Sequence, residues 1–597
     1  MTPNMQTRHP SQEVQCDVLV LGAGAGGLST AITAARQGLE VIVLEKADVF
    51  GGTTAFSGGV LWIPGNHHGR AQNPDDSREA ARDYLRTEAG DFFDAEAVEA
   101  FLDKGPEMVD FFERETAVEF VPTLYPDYHP TRPGGIDIGR SILAAPFDLR
   151  ELGKEMRRMR PPLETITFIG MMFNSSNADL KHFFNATRSL TSFRYVAKRL
   201  AIHLKELVLY RRGVNVTSGN ALAARLARSA FDLGIPIHTG APARELLHVE
   251  GRVRGARALL EGREVTIEAR RGVVLACGGF AQDVARIRQA YPHLRRGGEH
   301  HSPVPESNTG DGLAMVEALG VPVTCEYPQT SAWMPTSLVP RKGGGTGKFP
   351  HLLDRYKPGV VGIGPDGRRF CNESDSYHDV GTAMLEHCQD DSTHMWLICD
   401  QTCLSKYGLG YVKPAPMPVG GLIRKGYLKR GRTLTELARE IGVEPGQLEH
   451  TVAEYNEGAA AGEDRQFGRG TTSFNRYLAD PQHGPNPCVA PIHKGPFYAV
   501  KVYMGDLGTF DGIKTDVYGR VLDGNGECLQ GLYAVGNDRR SIMGGSYPAA
   551  GITLGPIMTF GYITGRHLAG IDDDLAQRAP AAETPEKEKA HGHQAAD

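Results

Sequence analysis

The most pronounced alternation of apolar and polar segments lies near the start of the chain, in CDVLVLGAGAGGLSTAITAARQGLEVIVLEK. An apolar run over residues 17–21 predicts a buried strand, the small residues that follow predict a helix, and a second apolar run predicts a strand that ends at Glu45. Two similar runs occur far downstream, at residues 272–276 and 531–535, and glycine follows each of them closely. This pattern is typical of an α/β fold whose strands come from separated parts of the chain.

Residues from about 323 to 502 follow a different pattern, with many prolines and loops. In TLTELAREIGVEPGQLEHTVAEYNEG the apolar residues recur at helical spacing, which predicts two helices that pack in a core and carry no chemistry. Residues 151–212 are predicted to form a separate, helix-rich insertion. The segment after residue 570 is polar, charged and rich in proline and alanine, so residues 571–597 are predicted to be a disordered tail.

Length and charge exclude several classes of protein. The chain has 597 residues, 41% of them hydrophobic, and is long enough for at least two lobes. Its net charge of -6 provides no signature of nucleic-acid binding. No uninterrupted apolar run of about 18 residues occurs, so no membrane-spanning segment is predicted. The first residues, MTPNMQTRHPSQEVQ, lack the apolar region of a secretory signal.

The nine cysteines are scattered, and only Cys399 and Cys403 lie close together in sequence. Such spacing argues for a reducing compartment and against a disulfide framework or a zinc site. The sequence therefore predicts a cytoplasmic protein without a metal site.

The glycines between the first strand and the first helix form the pattern G-x-G-x-x-G at Gly22, Gly24 and Gly27. The first allows a tight turn, the second lets the backbone approach a diphosphate, and the third allows close packing of helix and strand. Glu45 ends the second strand, where a carboxylate accepts hydrogen bonds from an adenosine ribose. A tight turn without a ligand is the alternative, and the two strands and the acid together argue against it.

The loop after Glu45, KADVFGGTTAFSGG, offers many backbone amides and hydroxyls to a second phosphate and a flavin ring. Together with the two downstream strands, it resembles the flavin domain of the fumarate reductase and ketosteroid dehydrogenase flavoprotein superfamily, over residues 14 to about 570. The resemblance implies an α/β, Rossmann-like, discontinuous FAD-binding domain, with an inserted α+β catalytic domain. We expect the FAD-binding domain to comprise residues 14–322 and 503–570, and the inserted domain residues 323–502.

The resemblance also implies which residues contact the cofactor. These are Gly22, Gly24, Gly27, Glu45, Gly52, Thr53, Ser57, Gly59, Asn537, Thr553 and Leu554. The segment GGTTAFSGG has no histidine where relatives with covalent flavin carry one, so we expect FAD to be bound without a covalent link.

The branches of the superfamily differ in the substrate group that they recognise. Fumarate reductases and succinate dehydrogenases bind a dicarboxylate through arginines and histidines near the C-terminal flavin segment. Here that segment reads GGSYPAAGITLGP and is polar only through Ser546, Tyr547, Thr553 and its backbone. An uncharged oxygen is the better match, and this indicates a ketone.

Three segments resemble the active-site segments of the 3-ketosteroid Δ1-dehydrogenases. They are YPDYHPTRPGG with Tyr128, GRRFCNESDSYHD with Tyr377, and GGSYPAAGITLGP with Tyr547 and Gly551. In that family a tyrosine that matches Tyr377 is the base and one that matches Tyr128 supports it. A tyrosine that matches Tyr547 binds the C3 carbonyl together with an amide that matches Gly551. His129 and His378 stand beside two of these tyrosines, and no role is assigned to them, because neighbours in sequence usually point apart.

The predicted reaction introduces a C1–C2 double bond into a 3-ketosteroid, with a hydride passing to flavin N5 and a proton to the tyrosine base. Two donors on the carbonyl oxygen would stabilise the developing enolate. No haem or iron-sulfur motif is present, so an external electron acceptor such as a quinone is expected. The alternatives are a Δ4(5α)-ketosteroid dehydrogenase, a dehydrogenase of another cyclic ketone, and a non-catalytic electron carrier. The first is disfavoured because Ala549 stands where that branch has serine.

The segment SFRYVAKRLAIHLKELVLYRRG combines apolar residues with several lysines and arginines. Such a helix packs against its own protein or lies on a membrane surface, which would suit delivery of an insoluble sterol. A peripheral membrane contact is therefore the second expectation for the location of the protein.

Overall fold

The computed structural model describes residues 12–172, 182–183, 189–341, 343–571 and 575. Within them the strands are β1 (Gln12–Leu21), β2 (Val41–Glu45), β3 (Val60–Trp62), β4 (Phe120–Pro122), β5 (Ser141–Ala144), β6 (Phe147–Asp148), β7 (Asn215–Val216), β8 (Ile237–Thr239), β9 (Ala243–Val249), β10 (Arg252–Leu260), β11 (Arg263–Leu275), β12 (Ser331–Trp333), β13 (Thr336–Pro340), β14 (Thr346–Pro350), β15 (Val360–Ile363), β16 (His394–Asp400), β17 (Leu428–Gly431), β18 (Phe497–Tyr503), β19 (Asp506–Thr509), β20 (Arg520–Leu522) and β21 (Cys528–Ala534). The α-helices are α1 (Ala25–Arg36), α2 (His67–Gln72), α3 (Arg78–Ala89), α4 (Ala95–Glu115), α5 (Leu190–Tyr210), α6 (Ser218–Asp232), α7 (Val284–Ala290), α8 (Pro292–Arg295), α9 (Asp311–Glu317), α10 (Tyr377–His387), α11 (Gln401–Tyr407), α12 (Gly420–Arg424), α13 (Leu434–Ile441), α14 (Pro445–Ala459), α15 (Ser473–Tyr477) and α16 (Leu554–Leu568).

The larger sheet has the strand order β20-β21-β10-β11-β1-β2-β8, with β9 paired to β10. β1 runs parallel to both β2 and β11, and β21 runs parallel to β11. Every residue of β2 is buried, as expected for a parallel strand covered on both faces. The sheet joins strands from the start, the middle and the end of the chain, so the predicted α/β fold with a discontinuous Rossmann-like sheet is confirmed.

Helix α1 brings the C-terminal part of the chain back to the first glycine turn. Its sequence AGGLSTAITAAR consists mostly of small residues, and it packs against α16. A side chain at Gly561 of α16 would meet the Ser29 hydroxyl at 2.1 Å, so the two helices approach closely only because this position is glycine. The segment before α16, which carries Tyr547 and Gly551, is thereby held beside the turn between β1 and α1.

The second sheet has the order β14-β13-β18-β16-β15, with β17 paired to β18, and all its pairings are antiparallel. Helices α13 and α14 pack in its core through buried Leu437, Leu448 and Val452, as their spacing predicts. Its strands lie within residues 336–503, while the boundaries assigned to the inserted domain stay a prediction.

Helix α5 belongs to the predicted insertion at residues 151–212, parts of which lie outside the described residues, as does nearly all of the predicted tail after residue 570. In this helix some polar side chains are buried and several apolar side chains are exposed, which is the reverse of the usual arrangement. His203 and Glu206 are buried, whereas Phe193, Leu204 and Val208 are exposed by 58%, 58% and 81%. Over the described part of the chain, no helix is both long enough and apolar enough to cross a membrane.

Candidate active site

A single cavity of about 650 Å³ runs from the glycine turn after β1 to the three predicted tyrosines. All the residues predicted to contact cofactor or substrate line it, except Gly27. They are Gly22, Gly24, Glu45, Gly52, Thr53, Ser57, Gly59, Tyr128, Tyr377, Asn537, Tyr547, Gly551, Thr553 and Leu554. Segments that are hundreds of residues apart in sequence therefore share one space.

The three glycines of the first turn differ in what surrounds them. A side chain at Gly22 would meet the Ala276 oxygen at 2.0 Å, and one at Gly27 would meet the Gly22 oxygen at the same distance. Both positions are therefore closed by backbone. At Gly24 the nearest atom to a side chain is the Thr54 hydroxyl at 3.8 Å, so the second glycine faces open space in the cavity. This openness is what a diphosphate lying against the backbone requires.

The N-terminus of α1 opens into the same part of the cavity. Its first backbone hydrogen bond runs from Leu28 N to Gly24 O, which leaves the amides of the first turn to other acceptors. Ala25 N donates to the Thr54 hydroxyl at 3.0 Å. Thr54 is not among the residues predicted to contact the cofactor, yet it lines the cavity and holds the start of this helix.

Glu45 lies at the end of β2 with only 7% of its surface exposed. Its carboxylate accepts hydrogen bonds from Ala23 N at 3.0 Å and Ala47 N at 2.9 Å. Burial raises the pKa of Glu45, and these two amides act in the opposite direction. The backbone on both sides of the carboxylate thus holds it at the cavity wall.

The loop from Gly52 to Gly59 is braced from the far side of the cavity. Thr53 accepts a hydrogen bond from the Asn308 amide at 2.9 Å, and Ser57 accepts one from Gly59 N at 3.1 Å. Gly59 has a φ of 70° and packs against the backbone of Ser218, so its glycine is explained by close packing. The contact of Asn308 with this loop was not predicted from the sequence.

The segment after β21 contributes a buried carboxylate that was missed. Asp538 follows Asn537 and accepts hydrogen bonds from Cys277 N at 2.6 Å and Gly279 N at 2.9 Å. Burial raises the pKa of Asp538 to about 6. The two following arginines point elsewhere: Arg539 lies over the Phe560 ring and Arg540 pairs with Glu326 at 2.9 Å. Neither arginine lines the cavity.

These features fit FAD. The open glycine, the helix N-terminus and the held carboxylate of Glu45 match the diphosphate and ribose of the cofactor, and the braced loop offers amides and hydroxyls beyond them. When bound, FAD would supply a hydride acceptor.

The rings of Tyr128, Tyr377 and Tyr547 meet in one cluster. Their centroids are 5.9 Å apart for Tyr128 and Tyr377, 5.0 Å for Tyr377 and Tyr547, and 5.8 Å for Tyr128 and Tyr547. The Tyr377 ring stands edge-on to both other rings, at 82° to Tyr128 and 70° to Tyr547. Tyr377 is the first residue of α10, and Ser376 caps that helix by accepting from Asp379 N. The position of Tyr377 at the start of α10 thus places its ring against those of Tyr128 and Tyr547.

Burial dominates the ionisation of this cluster. It raises the pKa of Tyr377 well above its ordinary value of 10.0, and the negative charge of Tyr128 and Tyr547, when ionised, raises it further. Burial also raises the pKa of Tyr128 and Tyr547. In the protein alone the three side chains are therefore neutral phenols at physiological pH, each able to donate a hydrogen bond.

Backbone contacts join the Tyr128 segment to the C-terminal turn. Tyr128 N donates to Pro548 O at 2.8 Å, and Asp127 forms a β-bridge with Ala549. The hydroxyl of Tyr84 also donates to Pro548 O, at 2.6 Å. Tyr128 and Tyr547 are consequently fixed relative to each other by main-chain geometry.

Gly551 has a φ of 98°, which favours glycine. Its carbonyl accepts from Trp62 N at 3.1 Å, and no acceptor for its own amide occurs among the residues that the structure describes. A side chain at this position would meet Leu61 and Trp62 backbone atoms at 2.6 Å. Substitution would displace β3 and would not isolate the role of the amide.

The two histidines left without a role have defined contacts. His129 lies between Glu88 at 2.9 Å and Asp379 at 3.1 Å. Burial lowers its pKa, but the two carboxylates outweigh burial and raise the pKa of His129 to about 10. His378 Nδ1 accepts from Trp333 N at 3.2 Å, and burial lowers the pKa of His378 to about 4. The first is a buried cation and the second a neutral ring.

No metal site was predicted, yet His67, His68 and Glu113 lie within 4.8 Å of one another. His68 Nε2 contacts the Glu113 carboxylate at 3.0 Å, and His67 contacts Glu113 at 3.2 Å and Asp110 at 2.9 Å. These contacts account for the grouping without an ion.

Comparison with known proteins places this chain in a family. The family model for the FAD binding domain matches residues 17–554. The chain is 43% identical over 564 residues to 4-oxocyclohex-2-ene-1-carboxylate 5-dehydrogenase of Sinomonas cyclohexanicum, covering 94% of each chain. It is 34% identical to 3-oxosteroid 1-dehydrogenase of Mycolicibacterium smegmatis, covering 93% of this chain and 97% of that protein.

A solved structure shares the whole architecture. The 3-ketosteroid Δ1-dehydrogenase of Sterolibacterium denitrificans, in complex with 1,4-androstadiene-3,17-dione, superposes with a TM-score of 0.84 at 32% identity, covering 94% of this chain and 100% of that one. The protein therefore belongs to the FAD binding domain family, within the fumarate reductase and succinate dehydrogenase flavoprotein superfamily, and is an FAD-dependent dehydrogenase of the ketosteroid and cyclic-ketone dehydrogenase group.

Proposed function

We propose that the protein introduces a carbon-carbon double bond next to the carbonyl group of a six-membered ring ketone. The observation that carries this proposal is the cluster of Tyr128, Tyr377 and Tyr547 in the same cavity as the flavin-binding turn. The Gly551 amide, which has no acceptor within the described part of the chain, lines that cavity too. An electron carrier has no need for such a cluster.

The residues divide the chemistry between two ends of the reacting group. Tyr547 and the Gly551 amide donate hydrogen bonds to the ketone oxygen, which gains negative charge as the adjacent carbon loses its proton. Tyr377, in its deprotonated form, accepts that proton, and the Tyr128 hydroxyl supports it by a hydrogen bond. Bound FAD would accept the hydride that leaves the next ring carbon.

Two classes of ring ketone are candidates for the substrate. A small ring ketone that carries a carboxylate is favoured by the 43% identity to the cyclohexene carboxylate enzyme. A 3-ketosteroid, desaturated between C1 and C2, is favoured by the TM-score of 0.84 to the Sterolibacterium enzyme. A Δ4(5α) reaction stays disfavoured because residue 549 is alanine.

Anaerobic flavin reduction tests this function directly. The holoenzyme is mixed with 4-oxocyclohexanecarboxylate, 4-oxocyclohex-2-ene-1-carboxylate, androst-4-ene-3,17-dione or a 5α-reduced 3-ketosteroid, and the flavin absorbance is followed. Bleaching by at least one ring ketone, with the desaturated ring recovered as product, is expected. A flavin that stays oxidised with all of them would overturn the proposal.

Two partners accompany the reaction. We propose an external electron acceptor such as a quinone to reoxidise the flavin. We also propose that α5 touches an anionic membrane surface, because exposed Phe193, Leu204 and Val208 stand among exposed Lys198 and Lys205.

A further inference from the structure

The cavity is lined by one lysine whose ammonium has neither a hydrogen bond nor an ion pair among the described residues. Three lysines line it: Lys46, Lys357 and Lys413. Lys46 pairs with Asp311 at 2.7 Å, beside the flavin-binding turn. Lys357 donates to the carbonyl oxygens of Leu478 and Ala479 at 2.6 and 3.2 Å. These two ammonium groups are thus held by the protein.

Lys413 is different. It lies in the loop of residues 411–417, most of which lines the cavity, and its side chain is half-buried. Its ammonium lies 5.3 Å from the centre of the Tyr411 ring. Among the residues that the structure describes, neither a hydrogen bond nor an ion pair joins this ammonium to another group. Burial lowers the pKa of Lys413, and the charge of Asp354 acts in the opposite direction.

The charge of Asp354 acts on Lys413, but no ion pair joins the two side chains in the described part of the chain. Asp354 Oδ2 contacts His351 Nδ1 at 2.7 Å and accepts from Gly410 N at 2.9 Å, while Asp354 Oδ1 has no hydrogen-bond partner among the described residues. A half-buried ammonium without a counter-ion is costly, and an anionic ligand that enters the cavity would remove much of that cost.

The loop of Lys413 is connected to the tyrosine cluster through a short series of contacts. Gly410 N donates to Asp354, which lies in the same turn as Tyr356. The Tyr356 ring lies 5.9 Å from that of Phe474, and Phe474 lies 4.4 Å from Tyr128. All of these residues line the cavity that Lys413 also lines, so the tyrosines and Lys413 border one space.

We propose that Lys413 binds an anionic group, a carboxylate, at the far side of the ring ketone whose oxygen is held by Tyr547 and Gly551. The inference rests on the proposed ring-ketone function and narrows its substrate class to keto acids. In a 4-oxocyclohexanecarboxylate the ketone and the carboxylate are at opposite ends of the ring, so one end faces the donors and the other is free to meet a cation. A steroid has no anion to offer Lys413.

The test compares a keto acid with its uncharged counterpart. Rapid mixing under anaerobic conditions measures flavin reduction by 4-oxocyclohexanecarboxylate and by its methyl ester, in the wild type and in Lys413→Met, Lys413→Arg and Lys494→Met holoenzymes. Lys494 is exposed and outside the cavity lining, so Lys494→Met controls for the loss of one positive charge.

We expect Lys413→Met to raise the half-saturating concentration of the acid by about tenfold or more, since a partly buried charged hydrogen bond is lost. The ester should change by less than about twofold, Lys413→Arg should recover most of the affinity, and Lys494→Met should behave as wild type. An equal effect on acid and ester, or none on either, would overturn the assignment of Lys413.

The wild-type enzyme provides a second measurement that does not depend on how the variants fold. It should prefer the acid over the ester, and the preference should shrink as ionic strength rises. If the wild type reduces its flavin with the ester or androst-4-ene-3,17-dione as readily as with the acid, the Lys413 assignment fails while the ring-ketone function stands. If no ring ketone reduces the flavin, the function itself fails.

Discussion

His129 Nε2 lies 3.1 Å from Asp379 Oδ2, and this contact joins the segment that carries Tyr128 to the helix that begins with Tyr377. On its other side His129 contacts Glu88 at 2.9 Å. We assign proton transfer to Tyr128 and Tyr377. The ion pair that connects their segments is formed one residue after Tyr128 and two residues after Tyr377.

The pH dependence of stability should report this ion pair. Because the two carboxylates raise the pKa of His129 to about 10, its contribution to stability is fully present below its unfolded pKa of 6.5 and is lost as the pH rises through about 10. The melting temperature of His129→Gln should fall below that of the wild type at pH 7, and the gap should narrow towards pH 10.5. An equal gap at both pH values would refute the assignment of a charged His129.

Replacing Tyr377 by phenylalanine should slow flavin reduction by about 10²–10⁴-fold while changing the substrate dissociation constant little, because the base acts only in the transition state. Tyr125→Phe is a suitable control, since Tyr125 lines the same cavity and packs against Tyr477. Rapid mixing with a ring ketone measures both quantities. A Tyr377→Phe enzyme that reduces its flavin at near wild-type speed would end the proposed mechanism.

The same measurement should show a rate that climbs with pH. Burial raises the pKa of Tyr377 well above 10.0, so only a small fraction is deprotonated at pH 7 and this fraction increases about tenfold per pH unit. Flavin reduction should therefore increase throughout pH 7–10. A plateau below pH 8 would contradict a base with a raised pKa.

Tyr547→Phe should harm both binding and rate. Its hydrogen bond to the ketone exists in the ground state and strengthens as the enolate forms, so removal of one such donor should lower the rate by about 10²–10³-fold and raise the dissociation constant as well. Gly551 cannot be probed in the same way, since its φ of 98° and the nearby β3 backbone make any substitution a packing defect. A Tyr547→Phe variant with unchanged substrate affinity would argue against a carbonyl contact.

FAD should be held less tightly when Glu45 is changed. Glu45→Gln loses a charged acceptor for Ala23 N and Ala47 N, so FAD affinity should fall by about tenfold or more. Glu40→Gln, at an exposed position, is the control. Fluorescence of FAD after gel filtration measures the loss.

FAD should be released from the wild-type protein by denaturation, because no covalent link is expected. Yellow colour that stays with the wild-type protein pellet after acid precipitation would disprove non-covalent binding.

Membrane contact through α5 should depend on Val208, which is exposed by 81%. Val208→Asp should weaken co-sedimentation with vesicles of phosphatidylglycerol and phosphatidylcholine by about tenfold, because it removes apolar area and adds a charge of the wrong sign. Val284→Asp makes the same change at an exposed position on α7 and should have no effect. Equal sedimentation of wild type and Val208→Asp would exclude α5 as the contact.

The sequence was sufficient to predict the sheet of the flavin-binding part, because buried parallel strands and their glycine turns are local patterns. The convergence of Tyr128, Tyr377 and Tyr547 was predicted through resemblance, since no local pattern relates residues more than a hundred positions apart. The argument that neighbours in sequence point apart was correct in direction: His129 faces Glu88 and Asp379 while Tyr128 faces the cavity. No role was assigned to His129 from the sequence, and its two carboxylate contacts had no signal there.

Other parts of the site had no signal in the sequence. Lys413 stands in the loop YVKPAPMP, which matches no motif, and its place in the cavity follows only from the packing of that loop near Asp354. Asp538 follows Asn537 directly, yet its bonds to Cys277 N and Gly279 N depend on the pairing of β21 with β11. Side chains that serve a site through tertiary contacts of this kind are visible only once the fold is known.

The main-chain contacts between residues 127–128 and 548–549 tie the Tyr128 segment to the turn that carries Tyr547, whereas no described hydrogen bond joins the loop of residues 411–417 to either. With the proposed role of Lys413, reactivity and substrate choice reside in separable parts of one gene. Point changes in the loop can give a lineage access to a new carbon source, while the inherited desaturation chemistry is left untouched.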